Sequence, residues 1–417
     1  MGFSVFSNQV SPIAIDFGSS SVKALQVTTG STPALVAAAE LPIPDTVRLQ
    51  SEQRNAFLAE ALPELIANAQ FKGRRVVCSP PSGQMLVQHL QVVPTPGLDD
   101  NEQIAAMLQV QLNCSPSSLV VRSEHVGQTS RDGQVRQENI CFAVSRDEIM
   151  RYVEMFKKNK LSLVGVHSEI PMLLRSFDHL HRRDADAQVN TLYVDLGWGH
   201  AKVAISHGTS MVFAKCIQLG GRHFDQLVSD SLHCDLDSAR KHRIRHGIIR
   251  EDQQPSNGAG RSPLSGGMAM LRVGMAMNGQ TEATECDDQV VTEDRRDGRS
   301  PESLPVSFGS GTPADLHDHV DFSELLESLS DELSMCLRYH NAMFPDHRIH
   351  RSIFLGGESR QTGLCHHLAH ALQVPAQLGD PIARIRNTES MPELFPSGRN
   401  HCGWAVACGL CTAPTDL

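Results

Sequence analysis

The fold is decided by residues 15–23, which read IDFGSSSVK. Apolar runs lie on both sides of the Gly-Ser segment, a pattern typical of two strands joined by a tight turn. A turn of this kind presents backbone N–H groups and hydroxyls to an anion, with a lysine charge close by. Asp16 stands at the end of the first strand, where a carboxylate can hold a hydrated divalent cation. The stretch therefore predicts a phosphate-binding hairpin whose contacts come from Gly18, Ser19, Ser20, Ser21 and Lys23.

A second hairpin of the same kind occurs at residues 194–199, VDLGWG, in the other half of the chain. Both halves begin with a three-stranded meander and continue with alternating helices and strands, so the topology is duplicated although the sequence is not. Asp195 corresponds to Asp16, and Gly197 and Gly199 form the turn. Two such hairpins facing one another could clamp the phosphates of one nucleotide, with both aspartates holding magnesium through water.

A third motif, at residues 353–363, reads IFLGGESRQTG: an apolar strand that ends in two glycines, with a further glycine six positions after the second. Together the three motifs resemble those of the superfamily of actin, sugar kinases and heat-shock chaperone ATPases. The resemblance implies an α/β protein with the actin-like ATPase fold, in which two duplicated ribonuclease H-like lobes carry a small inserted α+β subdomain. It also implies that ATP and Mg²⁺ bind between the lobes, with Gly356, Gly357 and Glu358 near the adenosine.

Within this superfamily the chain resembles the family of the type IV pilus assembly protein PilM and its competence-protein relatives. Beyond the first hairpin, the shared features are LPIP at 41–44, CSPPS at 78–82, QHLQVVP at 88–94, SEIPMLLRSF at 168–177 and LGGRHFD at 219–225. The resemblance adds Gly220, Gly221 and Lys241 to the nucleotide contacts. It gives Glu169, at the start of a helix predicted over 169–180, a catalytic role as a water-orienting or metal-facing residue. An acidic residue in the first turn would also suit the helix dipole alone.

The same resemblance divides the chain into two lobes with two additions. The first lobe is predicted over 11–73 and 145–188, the inserted subdomain over 74–144, and the second lobe over 189–250 and 319–412. In the remaining residues, 251–318, Gly, Pro and Ser supply 21 of 68 positions and acidic residues outnumber basic ones 12 to 5. Such a composition buries too little apolar surface to offset its ordering entropy, so a disordered acidic insert is predicted there.

The second hairpin departs from the pattern of the superfamily. Ala201 stands where a hydroxyl usually meets the phosphate, and Trp198 and His200 replace smaller residues. These differences indicate weak or absent ATP hydrolysis rather than a loss of nucleotide binding. Two other clusters, the histidines at 366–370 and the C-x-x-C at 408–411, lack further ligands at metal spacing. We interpret them as exposed polar side chains and as part of a packing helix.

Composition limits the function further. The 417 residues carry a formal net charge of −10, which argues against a protein that grips nucleic acid by general electrostatics. No continuous apolar run of about 18 residues is present, and the first residues lack the pattern of a signal peptide. Eleven cysteines in such a chain are typical of a reducing compartment. A cytoplasmic protein without direct membrane insertion is therefore predicted.

The resemblance implies a cytoplasmic, ATP-binding scaffold of type IV pilus or related secretion-system assembly. The protein would lie at the inner membrane through a partner, by docking the cytoplasmic N-terminal tail of an inner-membrane pilus protein, and self-association stays open. Two alternatives remain: a filament-forming bacterial actin-like protein of the division or shape type, and a small-molecule kinase on the same fold. A kinase needs an aspartate at the substrate hydroxyl, and no strand end beyond those of Asp16 and Asp195 suggests one.

Overall fold

The computed structural model describes residues 10–248 and 320–415, apart from positions 96, 132, 182–185 and 187. The insert predicted to be disordered, residues 251–318, lies outside the described residues. In the described part the strands form three sheets, two of five strands and one of three. The two larger sheets share one plan, which confirms the duplicated topology.

The first sheet is built around the hairpin that contains Asp16. Its strands are β1 (Ile13–Phe17), β2 (Ser21–Val27), β3 (Leu35–Pro42), β4 (Arg75–Ser79) and β8 (Ser162–Val166), in the spatial order β3-β2-β1-β4-β8. The first three strands are antiparallel, whereas β4 runs parallel to β1, and β8 runs parallel to β4. β1 is buried along its whole length, which explains why its other four residues are apolar. Asp16 lies opposite Lys23 across the hairpin.

The second sheet repeats this arrangement around Asp195. Its strands are β9 (Asn190–Leu196), β10 (Ala201–His207), β11 (Ser210–Ile217), β12 (Arg351–Leu355) and β13 (Ala376–Leu378), in the spatial order β11-β10-β9-β12-β13. Lys202 lies opposite Asp195 on β10, and Leu355 lies opposite Asp195 on the parallel strand β12. The parallel pairing brings the carboxyl ends of β9 and β12 to the same edge of the sheet, so Asp195 meets the glycine pair that follows Leu355.

Ten helices of the described residues surround these sheets. They are α1 (Asp45–Arg48), α2 (Ser51–Asn68), α3 (Asp100–Leu112), α4 (Arg146–Lys158), α5 (Glu169–Arg175), α6 (Gly221–Leu232), α7 (Leu236–His246), α8 (Ser323–Met343), α9 (Thr362–Leu372) and α10 (Ala405–Leu410). α5 ends at Arg175, earlier than predicted, and the chain turns into a 3₁₀ helix at Asp178–His181. None of the described helices is both long and apolar enough to cross a membrane.

Helices α5 and α10 pack against each other in the apolar core between the two large sheets. The contact is so close that a Cβ on Gly409 would lie 2.0 Å from the carbonyl oxygen of Met172, and only glycine fits there. Cys408 and Cys411 are buried free thiols beside it. Their position agrees with the interpretation of the C-x-x-C as part of a packing helix.

The third sheet comprises β5 (Met85–Val92), β6 (Leu119–Arg131) and β7 (Gln134–Ser145), all antiparallel in the order β5-β7-β6. Helix α3 covers one side through its buried residues Ile104 and Leu108. This sheet corresponds to the subdomain predicted over 74–144, except that β4 pairs with β1 and so belongs to the first sheet. The inserted part therefore begins after Ser79, and the division into lobes otherwise stays a prediction.

Candidate functional site

A cleft lies where the two large sheets meet, at the ends of β1 and β9. The turns of both hairpins, the glycine pair after β12 and the start of α5 border it. The residues predicted from the sequence that line this cleft are Asp16, Gly18, Ser19, Ser20, Lys23, Glu169, Asp195, Gly197, Gly356, Gly357 and Glu358. Three motifs that are far apart in the chain thus share one concave site.

The first hairpin places its lysine at the cleft through a small polar cluster. Lys23 Nζ donates to Ser21 Oγ at 2.7 Å and lies 3.3 Å from Glu40 Oε1, which in turn accepts a hydrogen bond from Ser21 Oγ at 2.8 Å. Ser21 does not line the cleft itself, although the sequence predicted a phosphate contact for it. Its hydroxyl instead holds the Lys23 ammonium in place.

Three predicted glycines stand behind the cleft and permit close approaches. A Cβ on Gly199 would lie 2.7 Å from Ser19 Oγ, so the turns of the two hairpins are in contact. A Cβ on Gly220 would lie 2.7 Å from backbone atoms of the second turn, and one on Gly221 would lie 2.4 Å from Glu358 Oε1. Each added methyl group would push apart segments that form the cleft.

Lys241 does not line the cleft in this structure. Its exposed side chain contacts Asp237 Oδ2, one turn earlier on α7. The preceding residue, Arg240, lines the cleft instead. Helix α7 therefore borders the site, but successive residues of a helix point about 100° apart and only one of these two side chains faces inward.

Several further residues line the cleft that were not predicted from the sequence. These are Ser82, Lys202, Arg240, Cys402, Gly403, Ala405 and Val406. A signal for Lys202 was available, because each hairpin carries a lysine seven positions after its aspartate, at 16 and 23 and again at 195 and 202. Ser82 ends the CSPPS motif at 78–82, but nothing in that motif marked its side chain for the site, and the segment 402–406 carried no comparable local signal.

Lys202 is the central charge of the site. Its side chain is 10% exposed, and Nζ lies 2.5 Å from Asp195 Oδ2 and 3.3 Å from Glu169 Oε2. Burial alone lowers the pKa of Lys202, but attraction by Asp195 and Glu169 outweighs burial and raises that pKa above its ordinary value. The ammonium therefore stays charged and joins a carboxylate of the second sheet to one at the start of α5.

Asp16 is 5% exposed, and its Oδ1 atom has no hydrogen-bond partner among the described residues. Burial, reinforced by the negative charge of Glu169, raises the pKa of Asp16 from 3.8 to about 7. The charges of Lys23 and Lys202 act in the opposite direction without cancelling this effect. A buried polar atom without a partner is costly, so Oδ1 points to a ligand or an ordered water in the cleft.

Glu169 is engaged on one carboxylate oxygen. Its Oε2 accepts a hydrogen bond from the backbone N–H of Ser82 at 2.9 Å, another from the Ser82 hydroxyl, and the contact with Lys202. These contacts tie the segment before β5 to α5 and position the Lys202 ammonium. The role of Glu169 in orienting a catalytic water stays a prediction.

A buried ionic network supports the glycine pair and the second turn. Arg243, whose side chain is fully buried, donates from Nε to Asp225 Oδ1 at 2.6 Å and from Nη1 to Glu358 Oε2 at 2.7 Å. Burial opposes its charge, but attraction by Glu358 and Asp225 raises the pKa of Arg243. Trp198 Nε1 donates to Asp225 Oδ2 at 2.7 Å, and the Arg48 guanidinium lies 5.0 Å above the Trp198 ring. The large ring is therefore directed toward this network.

The predicted magnesium pair fits the site only in part. Oδ1 of Asp16 is a buried oxygen acceptor at the cleft, which suits a hydrated cation. Asp195, in contrast, already contacts the Lys202 ammonium. Among the residues that the structure describes, no group of three or more His, Cys, Asp or Glu side chains is arranged to hold a metal ion.

Two five-stranded sheets of equal plan, with paired turns at one cleft, define the actin-like ATPase fold. The structure of a PilM–PilN type IV pilus biogenesis complex is similar to this chain with a TM-score of 0.64 and 17% identity, over 97% of each chain. At that identity the likeness shows the fold. No family model matches the sequence, and the search of curated proteins found no match.

Two further solved structures are similar at lower scores. The ethanolamine utilization protein EutJ from Carboxydothermus hydrogenoformans has a TM-score of 0.45 and 11% identity, over 96% of this chain and 88% of that chain. MreB 5 of Spiroplasma citri, bound to AMPPNP, has a TM-score of 0.44 and 12% identity, over 97% of this chain and 95% of that chain.

Proposed function

We propose that this protein is a nucleotide-binding scaffold of type IV pilus or related secretion-system assembly, which docks the cytoplasmic tail of an inner-membrane pilus protein. The observation that carries the proposal is the cleft, where the two turns predicted to bind phosphate, Lys23 and the glycine pair meet. The fold shared over 97% of the chain with the PilM–PilN complex supports the scaffold role and the class of partner.

ATP is the ligand that this arrangement suits. The turns of residues 18–20 and 198–199 are proposed to offer backbone N–H groups to the phosphates, and Lys23 adds a positive charge beside them. The N–H of Gly197 is not among these groups, because it donates to His200 O at 3.1 Å. The glycine pair, Gly356 and Gly357, lines the same cleft beside Asp195, and the resemblance to the superfamily implies that it contacts the nucleoside. A magnesium ion, when bound, would neutralise phosphate charge, and Asp16 is the residue that would hold it through water.

Hydrolysis is proposed to be weak or absent. Glu169, the predicted water-orienting residue, uses one carboxylate oxygen for Ser82 and Lys202. Ala201 offers no hydroxyl to a phosphate. Nucleotide binding itself, rather than repeated ATP hydrolysis, would then regulate the protein. It would change how the two lobes close and thereby change the affinity for the partner.

Calorimetry of the purified full chain with ATP tests the nucleotide site. The Lys23→Ala variant should bind about ten- to a hundredfold more weakly, because a charge-assisted contact is lost. Lys215→Ala is the matched control, since Lys215 pairs with Glu332 on the surface and does not line the cleft. Absence of ATP binding to the unaltered protein would refute the nucleotide site.

A separate experiment tests the partner. The proposal places the protein in the cytoplasm, at the inner membrane through its partner. A peptide with the sequence of the cytoplasmic tail of an inner-membrane pilus protein from the same cell should bind the immobilised chain. A peptide of scrambled sequence should not. Equal binding of both peptides would refute the docking function and leave the nucleotide site untouched.

A further inference from the structure

The two hairpins carry their lysines at equivalent positions but use them differently. Lys23 lies opposite Asp16 in the first sheet, and Lys202 lies opposite Asp195 in the second. Lys23 pairs with Glu40, at 3.3 Å, rather than with an aspartate. Lys202, in contrast, contacts Asp195, the aspartate of its own hairpin, and also Glu169. The site therefore has a positive charge between a carboxylate of the second half and one of the first half.

The Lys202 ammonium contacts two carboxylate oxygens, as a cation bound at this position would. Nζ lies 2.5 Å from Asp195 Oδ2 and 3.3 Å from Glu169 Oε2, and the side chain is 10% exposed. Both partners are themselves buried, so solvent screens these ion pairs little. An ammonium on a four-carbon stem is a compact point charge with three donors, which matches a position surrounded by oxygen atoms.

A divalent cation bridging Asp16 and Asp195 would compete with this ammonium. Magnesium requires near-octahedral coordination by oxygen atoms and keeps several waters. At Asp195 it would have to share the carboxylate with Lys202, and the two positive charges would repel each other. The predicted pair of metal-holding aspartates therefore does not fit at Asp195.

We propose that the Lys202 ammonium is a tethered cation of the phosphate cleft, so that this protein binds nucleoside polyphosphates without requiring a divalent metal ion. Lys23 and Arg240, which line the same cleft, supply the remaining positive charge. This inference rests on the proposed nucleotide-binding function and specifies the form of the ligand that the site accepts.

The unaltered full chain gives the first test. ATP is titrated by calorimetry in buffer with EDTA and again in buffer with magnesium. The dissociation constants are expected to agree within about threefold, far less than the change that follows loss of a buried charge. Binding only in magnesium would overturn the inference and leave the proposed function intact. Absence of binding in both buffers would overturn the proposed function itself.

The Lys202→Met variant gives the second test. In EDTA its affinity for ATP should fall by at least about thirtyfold, because the carboxylates lose their buried partner. Magnesium should restore much of that loss by neutralising Asp195 in place of Lys202. Lys215→Met, altered at a surface ion pair, should behave as the unaltered protein in both buffers.

Two outcomes of this second test contradict the inference. Unchanged affinity of Lys202→Met in EDTA would show that Lys202 contributes no charge to the site. An equal loss in both buffers would show that Lys202 does not replace a metal. Thermal unfolding identifies a variant that has not folded, and the comparison on the unaltered chain then decides alone.

Discussion

Replacing Arg243 by methionine should destabilise the protein strongly. Arg243 is completely buried and pairs with Asp225 at 2.6 Å and with Glu358 at 2.7 Å. Methionine fills a similar volume but leaves two buried carboxylates facing each other without a positive charge. The change therefore removes two charge-assisted contacts and creates a like-charge pair in the same place.

The size of the effect follows from burial. Removing one partner of a buried ion pair costs about 3–5 kcal/mol, because the remaining charge is left uncompensated. Both partners of Arg243 are less than a tenth exposed, so solvent offers little relief. We expect a loss near 4 kcal/mol in the free energy of unfolding. A second change, Asp225→Asn, should recover about 1–3 kcal/mol because it removes one of the stranded charges.

Urea unfolding followed by tryptophan fluorescence is a suitable assay. The chain has two tryptophans, and Trp198 donates directly to Asp225, so its emission also reports on the network in the folded state. Arg245→Met is the matched control, since Arg245 is exposed on the same helix and its change should stay within about 0.5 kcal/mol. A loss below about 1 kcal/mol for Arg243→Met would show that the buried ion pairs of Arg243 contribute little to stability.

Three further changes have defined outcomes. Gly409→Ala puts a Cβ 2.0 Å from the carbonyl oxygen of Met172, and thermal unfolding should show a loss of about 1–3 kcal/mol in the free energy of unfolding. Gly127→Ala is the control, because the nearest atom to its added Cβ is 3.8 Å away and the change should be nearly neutral. Equal melting temperatures would contradict the close helix contact.

The folded-state pKa of Asp16 is raised from 3.8 to about 7, so the unaltered chain loses stability as pH rises through that interval, where Asp16 ionises only in the unfolded state. Asp16→Asn does not ionise, and its free energy of unfolding should therefore rise relative to that of the unaltered chain by up to about 4 kcal/mol between pH 3.8 and 7. Urea midpoints of the two proteins that move in parallel would contradict this sign. Burial and neighbouring histidines lower the pKa of His207 from 6.5 to about 4. The stability that the neutral His207 contributes is therefore fully present above pH 6.5 and is lost as pH falls to about 4. His207→Phe should therefore lose less stability in that interval, and an equal loss would count against the shift.

Much of the fold could be predicted from local sequence. The Gly-Ser turn at 18–21 between two apolar runs specifies a hairpin without reference to the rest of the chain. The duplicated order of strands and helices then predicts two sheets of the same plan, which the structure confirms. Helix α5 was predicted too long because apolar residues continue past Arg175, where the chain in fact turns into a 3₁₀ segment against the core.

The candidate site was predictable only where a motif carries its own geometry. Asp16, Lys23 and Asp195 line the cleft because each lies close to the turn of a hairpin, which sets its position. Arg240 lines it in place of Lys241 because the rotation of α7 depends on what packs against that helix. No property of the segment by itself distinguishes the two basic side chains.

The hairpins, the glycine pair and the duplicated topology follow from local sequence, because turn chemistry and apolar periodicity act over a few residues. Which charges meet depends instead on how the remote segments pack. The spacing of seven places Lys202 opposite Asp195, but Glu169 reaches the same ammonium from the start of helix α5. Coulombic contacts of this kind depend on distances of a few ångströms between segments that are remote in the chain, and only packing of the two sheets fixes them.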